Sequence, residues 1–400
     1  MIRVAAAGWR TRGQPVALAV LARALERARL PQALLLVGPA QVGKTTLALD
    51  LAAGLLCLAS EAADRPCRRC LACRLVEHGS HPDLHRLAPS GAGDQIRLTR
   101  PDPGQPGEPG TVRTFLADLA LRPSQGVHRV AVIERADRLN EDAQNALLKV
   151  LEEPPEGAVI CLAADDERPL LDTLRSRCTR LRLGLVDQGT IARLLIELEL
   201  ADPIEATVLA RASAGRPGRA VALAGAPERL IVEARVVRQL LDLLAAPPAE
   251  RLAAAPGLLA DGAALGGPAI GLAAGEPPID RPTVDGDADD PEEAPRAGPT
   301  ERRPTRRSPQ ERRRAVRNLL AAWAGLARDL AVAGLGGGVE LRRIELLEEL
   351  RAVAPQLSVG EVGAFLARLD GLDAAIEAYA DPELVLDALL LAWPSLQRVA

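Results

Sequence analysis

Two groups of residues in this chain have the types and the spacing to do chemistry. The first is Gly38-Pro-Ala-Gln-Val-Gly43-Lys44-Thr45, which fits the pattern G-x-x-x-x-G-K-[ST] without a mismatch. Glycines at 38 and 43 let the backbone approach phosphates closely, so that loop N–H groups can point at their oxygens. Lys44 supplies a compact positive charge, and the Thr45 hydroxyl can ligate Mg²⁺. Thr46 follows in the first turn of a helix whose positive end faces the same place. Gly38, Gly43, Lys44, Thr45 and Thr46 are therefore the candidate residues for ATP, with Mg²⁺ as its companion ion. The loop predicts phosphate binding and does not by itself predict hydrolysis.

The second group is Cys57, Cys67, Cys70 and Cys73, spaced C-x9-C-x2-C-x2-C. Two x2 spacings let neighbouring thiolates converge on one ion, and four thiolates suit tetrahedral structural zinc. No open coordination position is implied, so a catalytic metal is not expected. His78, His81 and His85 lie nearby, but four cysteines already complete a shell. Cys161 sits within an apolar run and reads as core packing.

A phosphate loop that drives hydrolysis needs more. An Asp at the end of a second strand normally holds the Mg²⁺ shell, and a neighbouring carboxylate orients the attacking water. Here the strand ending Val132-Ile133 runs into Glu134-Arg135-Ala136-Asp137. The water-activating position holds Arg135, and a guanidinium cannot accept a proton near neutral pH. Asp137, two residues on, is expected to face elsewhere. The strand ending Leu162-Ala163-Ala164 offers no hydroxyl or amide as a polar sensor. The site reads as able to hold a nucleotide and poorly equipped to cleave it.

The elements that must position these residues follow from periodicity. A helix is predicted over residues 15–30, with Leu18, Leu21, Leu25 and Ala28 on one face and Pro31 ending it. Ala33–Val37 reads as a buried strand, followed by the glycine turn and a helix from Lys44 to Leu56. Strand, turn and helix in that order predict a parallel α/β sheet. Arg129–Ile133 and Ala158–Ala163 are further buried strands. Between them lies an amphipathic helix carrying Ala143, Ala146, Leu147, Val150 and Leu151, capped by Asn140 and stopped by Pro154-Pro155. Residues 88–111 are rich in Gly and Pro and read as a surface insertion. Residues 262–312 form a low-complexity stretch, with an acidic block at Asp285–Glu293 and an arginine block at Arg302–Arg314. Such a composition buries too little apolar area to offset chain entropy, so a disordered linker is expected. Helical periodicity returns over 313–393. The last helix is signalled by Asp381, Pro382 and an apolar face of Leu384, Val385, Ala388, Leu389 and Ala392.

Composition bounds the function classes. An apolar fraction of 48% supports buried cores, and 400 residues predict two or three domains. Aromatic residues are only 2%, which argues against a ring-stacking surface for single-stranded nucleic acid. A formal net charge of −4 argues against an autonomous nucleic-acid binder. The longest uncharged runs, Leu30–Gly43 and Gly262–Gly275, are too short and too broken to span a bilayer. A soluble, cytoplasmic chain with no membrane partner is expected.

With these residues assembled, the chain resembles the AAA+ clamp-loader subunits of bacterial DNA polymerase III, and among them the delta-prime subunits. The resemblance rests on the phosphate loop, the cysteine cluster after its helix, and His81-Pro-Asp83. It rests further on Asn145-Ala-Leu-Leu-Lys149-Val-Leu-Glu152-Glu153-Pro-Pro155 and on Leu174-Arg-Ser176-Arg177-Cys178, and covers residues 10–225. It implies an α/β P-loop (AAA+) domain at 1–183 with a zinc module at 57–73. It also implies a small helical lid at 184–226 and an all-α C-terminal collar at 227–400, interrupted by the linker at about 262–312. Arg219 matches the second sensor arginine of the lid. Arg177 matches an arginine that reaches into a neighbouring subunit's ATP site. Partners implied are the tau/gamma and delta subunits, with the sliding clamp and primer-template DNA met through the complex. The departures at Glu134, Arg135 and Ala163-Ala164 separate this chain from the motor subunits, tau or gamma, whose acidic pair and sensor hydroxyl are intact. A non-catalytic subunit that activates its neighbour is thus expected. A tau/gamma-type ATPase is the alternative, and a P-loop small-molecule kinase finds no second-substrate motif to support it.

Overall fold

The computed structural model describes residues 8–89, 95–98, 112–266, 308–336, 341, 343, 346–377 and 380–396. Its first half is built on a five-stranded sheet: β1 (Ala33–Val37), β2 (Leu84–Leu87), β3 (Arg129–Ile133), β4 (Ala158–Ala164) and β5 (Thr179–Arg182). The strand order is β2-β3-β4-β1-β5 and every pairing is parallel. Alternate residues of the central strands enter two separate cores, as the pleat requires. Leu34, Leu36, Val130, Val132, Val159 and Cys161 face α1 (Pro15–Glu26), α2 (Lys44–Leu56) and α3 (Leu71–Glu77). Leu35, Ala131, Ile133, Ile160 and Leu162 face α4 (Val112–Leu119), α5 (Glu141–Glu152) and α6 (Asp172–Ser176).

Helix α2 is central to the first layer, with Leu47, Ala48, Leu51, Ala52 and Ala53 fully buried. At roughly 1.5–3 kcal/mol for burying each large aliphatic side chain, its packing fixes the loop that precedes it. Asn140 caps α5 as expected, its side chain accepting from Ala143 N–H at 3.1 Å. Ala143, Leu147 and Leu151 are buried, while Ala146 and Val150 are half-buried.

Three helices follow the sheet: α7 (Gln188–Glu197), α8 (Pro203–Ala212) and α9 (Pro217–Ala224), closed around Ile191, Leu195, Leu209 and Val221. The remaining described residues form a helical bundle. It comprises α10 (Glu228–Asp242), α11 (Pro248–Ala253), α12 (Ala255–Leu265), α13 (Pro309–Gly334), α14 (Leu347–Val353), α15 (Val359–Glu377) and α16 (Pro382–Ala392). Trp323 and Trp393 meet edge to face in its core, with Phe365 against Trp393. Arg251, 2% exposed, donates to the carbonyls of Leu390 and Trp393 as well as those of Leu244, Ala246 and Pro394, so a buried cation closes the C-terminal end of α16.

Several boundaries differ from expectation. Helix α1 stops at Glu26, and Ala28 adopts φ +48° in the turn beyond it. Both ends of the expected linker 262–312 are helical: α12 runs to Leu265, and α13 begins at Pro309 behind a capping box of Ser308 and Glu311, while 267–307 lie outside the described residues. Arg312, Arg313 and Arg314 of the arginine block belong to α13; the first part of that block and the acidic block Asp285–Glu293 lie outside the described residues. Much of the expected 88–111 insertion does too, although Ile96 bridges Leu139. In α16 the buried face is Val385, Leu386, Leu389 and Leu390, and Leu384 is 68% exposed. The apolar stripe is therefore rotated from the one expected. Among the described residues, no helix is long and apolar enough to cross a membrane.

Candidate nucleotide and metal sites

The ends of β1, β3 and β4 lie at one edge of the sheet. Val37 pairs with Ala164 and Ile133 with Leu162, which brings Gly38, Arg135 and Asp165 to the same level. Gly38 passes so close to β5's following residue that a Cβ on it would lie 2.2 Å from the Leu183 carbonyl oxygen, so only glycine fits. Gly43 caps α2 at φ +101°, a conformation that side chains disfavour. Thr45 and Thr46 are half-buried in the first turn of α2.

Lys44 is 6% exposed. Its Nζ donates to the carbonyls of Gly38 and Pro39, both at 2.7 Å, and meets Asp165 Oδ1 at 2.7 Å. Burial lowers its pKa, and the Asp165 carboxylate opposes that shift. The second oxygen of Asp165 takes Arg135 Nε at 3.1 Å, so one carboxylate joins the two cations. Arg135, at φ +54°, also pairs with Asp137 at 3.0 Å, and Asp137 accepts from Asp165 N–H at 3.0 Å. Glu134 is engaged on the other side, by Arg86 of β2 at 2.6 Å. Arg135 and Asp137 thus enter the site together as an ion pair, where Asp137 was expected to face elsewhere. Glu134 pairs away from Lys44.

The helix α9 closes on this loop. Gly218 N–H donates to the Gln41 carbonyl at 3.0 Å, and Gln41 holds φ +64°. Arg216, two residues before Gly218, has its pKa lowered by burial and then by Arg219, and the Asp165 carboxylate opposes that shift. Its buried Nε has no hydrogen-bond partner. Arg219 itself is bound to Glu233 of α10 at 2.7 Å, and Glu233 also takes Arg343 at 2.8 Å. Arg343 continues to Asp329, which is fully buried. A chain of alternating charges therefore runs from α9 into the helical bundle.

Asp165 and Arg216 were not singled out in the sequence. The signal for Asp165 was its place directly after β4, the strand beside β1, where any side chain emerges over the phosphate loop.

The four cysteines converge. Their sulfurs lie within 4.8 Å of one another, with Cys57 and Cys70 at 4.0 Å. A tetrahedral zinc with about 2.3 Å bonds would set them about 3.8 Å apart, so the donor set fits that ion. Cys57 ends α2 and Cys70 caps α3. Backbone N–H groups of Cys67, Cys70 and Cys73 point at the sulfurs of Cys57, Cys67 and Cys70, each at 3.4 Å. A contact from Arg69 N–H heads the causes that bring the Cys67 thiol down to about 6, while burial pushes Cys57 and Cys73 up. Zinc, when bound, would cross-link the end of α2 to the start of α3. Between two of the ligands, Arg68 at φ +57° reaches back to Asp50 of α2, which is buried and accepts from Thr11 Oγ1 at 2.7 Å.

None of the three nearby histidines joins the cluster. His81 is buried and its Nδ1 accepts from Asp83 N–H at 3.1 Å. Asp83 in turn accepts from the N–H groups of Ser124 and Gln125 and from Arg129, tying β2 to the loop before β3.

Arg177 ends α6 on the exposed surface. Its guanidinium donates to the Thr173 carbonyl at 2.9 Å and pairs with Glu152 of α5. It lies apart from Lys44 and its partners, and this chain's own phosphate loop makes no use of it. Cys178 beside it is buried.

Comparison with known proteins agrees with this geometry. Residues 13–186 match the family model described as DNA polymerase III, delta subunit. The delta-prime subunit of Pseudomonas aeruginosa is 38% identical over 154 residues, covering 38% of this chain and 43% of that protein. The delta-prime subunit of Bacillus subtilis is 30% identical over 188 residues, covering 47% and 53%. The tau subunit of Escherichia coli is 33% identical over 208 residues, covering 51% and 30%. The matches thus span about half the length of these relatives or less. Residues 13–186 are similar to subunits of DNA polymerase III, with delta-prime subunits and a tau subunit among the relatives.

Proposed function

We propose that this chain is a non-hydrolysing subunit of a DNA polymerase III clamp loader. In that role it assembles with tau/gamma and delta subunits to place a sliding clamp on primer-template DNA, and works in the cytoplasm. The α7–α9 cluster would act as the lid and the α10–α16 bundle as the collar through which the subunits join. The observation that carries the reading is the occupied carboxylate set. Arg135 stands where a water-activating carboxylate is needed, and Glu134 is held by Arg86 at 2.6 Å. Hydrolysis lacks a base, while Lys44 and the loop backbone keep a phosphate cradle.

Arg177 supports a role toward a neighbour. It is exposed, and a surface ion pair such as the one with Glu152 is worth about 0–1 kcal/mol, so releasing it costs little. A guanidinium supplied in trans stabilises charge on the transferring phosphoryl oxygens.

The test is ATP turnover by the purified chain, compared with Lys44→Ala. The reading expects equal, background-level rates for both. Turnover by the wild type that Lys44→Ala abolishes would establish the tau/gamma-type motor instead.

A further inference from the structure

We infer that Asp165 stands in for a phosphate in this loop, and that nucleotide enters by exchanging with it between Lys44 and Arg135, without a divalent metal ion. The inference rests on the reading of the loop as a nucleotide site and deepens it. A P-loop normally receives Mg²⁺ with its nucleotide because a carboxylate and a hydroxyl there have lone pairs to spare. Here the carboxylates are committed. Glu134 is bound by Arg86 at 2.6 Å, Asp137 by Arg135 at 3.0 Å, and Asp165 by Lys44 at 2.7 Å and Arg135 at 3.1 Å. A metal ion would have to break one of these pairs and then sit beside a guanidinium. The residues therefore do not fit Mg²⁺, although Thr45 remains available.

They do fit an anion. One carboxylate bridging a buried ammonium and a guanidinium is the arrangement that two oxygens of a phosphate would make with the same cations. Lys44 and Arg135 together supply the charge that a metal ion would otherwise bring, and the positive end of α2 adds to it. The displaced Asp165 carboxylate also has somewhere to go. Arg216 lies within its electrostatic reach, and the buried Arg216 Nε has no hydrogen-bond partner in the present arrangement. Arg216 belongs to the same turn as Gly218, which already rests on Gln41, so the exchange would engage α9 directly. Binding is an exchange of one anion for another, and no covalent step is involved.

The experiment is equilibrium binding of ATP to the full chain, measured by dialysis with labelled nucleotide in excess Mg²⁺ and again in excess EDTA. The expected result is a dissociation constant that differs less than tenfold between the two. Weakening of tenfold or more in EDTA overturns the inference while leaving the nucleotide site intact. Asp165→Asn, which removes the competing charge at nearly constant shape, is expected to tighten binding in EDTA at least threefold. Unchanged or weaker binding by a folded Asp165→Asn chain overturns the role of Asp165. No binding by wild type or Asp165→Asn in either condition would overturn the nucleotide reading itself, and this inference with it. The wild-type comparison needs no variant to fold.

Discussion

At the residue scale, the chemistry of this chain is decided by which charges face each other. Arg135 illustrates the point. Its residue type already ruled out a general base, but its pairing with Asp165 came from the β3–β4 register that the sequence does not display. Asp165 carried a signal in its place directly after β4, but that place did not give the identity of its partners. It lies far from Lys44 along the chain, and only the β1–β4 pairing sets it 2.7 Å from the ammonium. Asp83 shows the opposite case, a motif residue whose role is structural. Burial alone would raise its pKa, but the N–H groups of Ser124 and Gln125, with Arg129, outweigh that and hold the carboxyl below its ordinary value. Its stabilising contribution is thus fully present above the unfolded carboxyl pKa of about 3.9. It is lost as pH falls through the lower folded value. Asp83→Asn is expected to cost about 2–3 kcal/mol near neutral pH. Urea midpoints of the two proteins should differ clearly at pH 7 and converge on strong acidification. A gap that stays constant with pH would show that the charge of Asp83 contributes nothing.

At the scale of elements, the central strands and the phosphate helix were legible because both faces of β1, β3 and β4 are apolar. The edge strands were not. Leu84–Leu87 contains His85 and Arg86, and Thr179–Arg182 contains two arginines, so neither carries a buried-strand pattern. Helix α4 was missed because its eight residues follow a long Gly- and Pro-rich stretch that offered no start signal. The cysteine spacing, by contrast, was sufficient to forecast convergence of four sulfurs. If those sulfurs hold zinc, the ion joins α2 to α3, and through Arg68 and Asp50 it steadies the segment around Thr11. Protein purified without added metal should contain about one zinc per chain by elemental analysis. Because the ligands must be thiolates, binding releases protons, and acidification should release the ion. Cys73→Ser should lose the metal and lower the thermal midpoint. Near-zero zinc with four freely titrating native thiols would remove the metal from the account.

At the scale of the whole molecule, polar links run between the sheet with its two cores, the α7–α9 cluster and the helical bundle. The sheet domain meets α9 where Gly218 rests on Gln41, and α9 meets the bundle through Arg219, Glu233, Arg343 and Asp329. This relay was not legible in the sequence, since its four charges are spread over more than a hundred residues. It offers a route by which a change at the phosphate loop reaches the helices proposed as the collar. Arg177 lies elsewhere on the surface, held by Glu152 and by nothing at this chain's own loop. The central claim, that this chain acts on a neighbouring subunit's ATP rather than on its own, is tested most directly there. The measurement is DNA- and clamp-stimulated ATP hydrolysis by a reconstituted clamp loader carrying Arg177→Ala. Arg175→Ala, which removes an arginine paired within its own helix to Asp172, is the control. The account predicts that the Arg177→Ala chain assembles normally and that total hydrolysis falls. The fall should be smaller than the roughly 10³–10⁵ that one trans arginine contributes at a single site, because several sites share turnover. Arg177→Lys should recover little, since an ammonium cannot reproduce the planar fork, and Arg175→Ala should behave as wild type. Complexes that assemble with Arg177→Ala and hydrolyse ATP at the wild-type rate would contradict it.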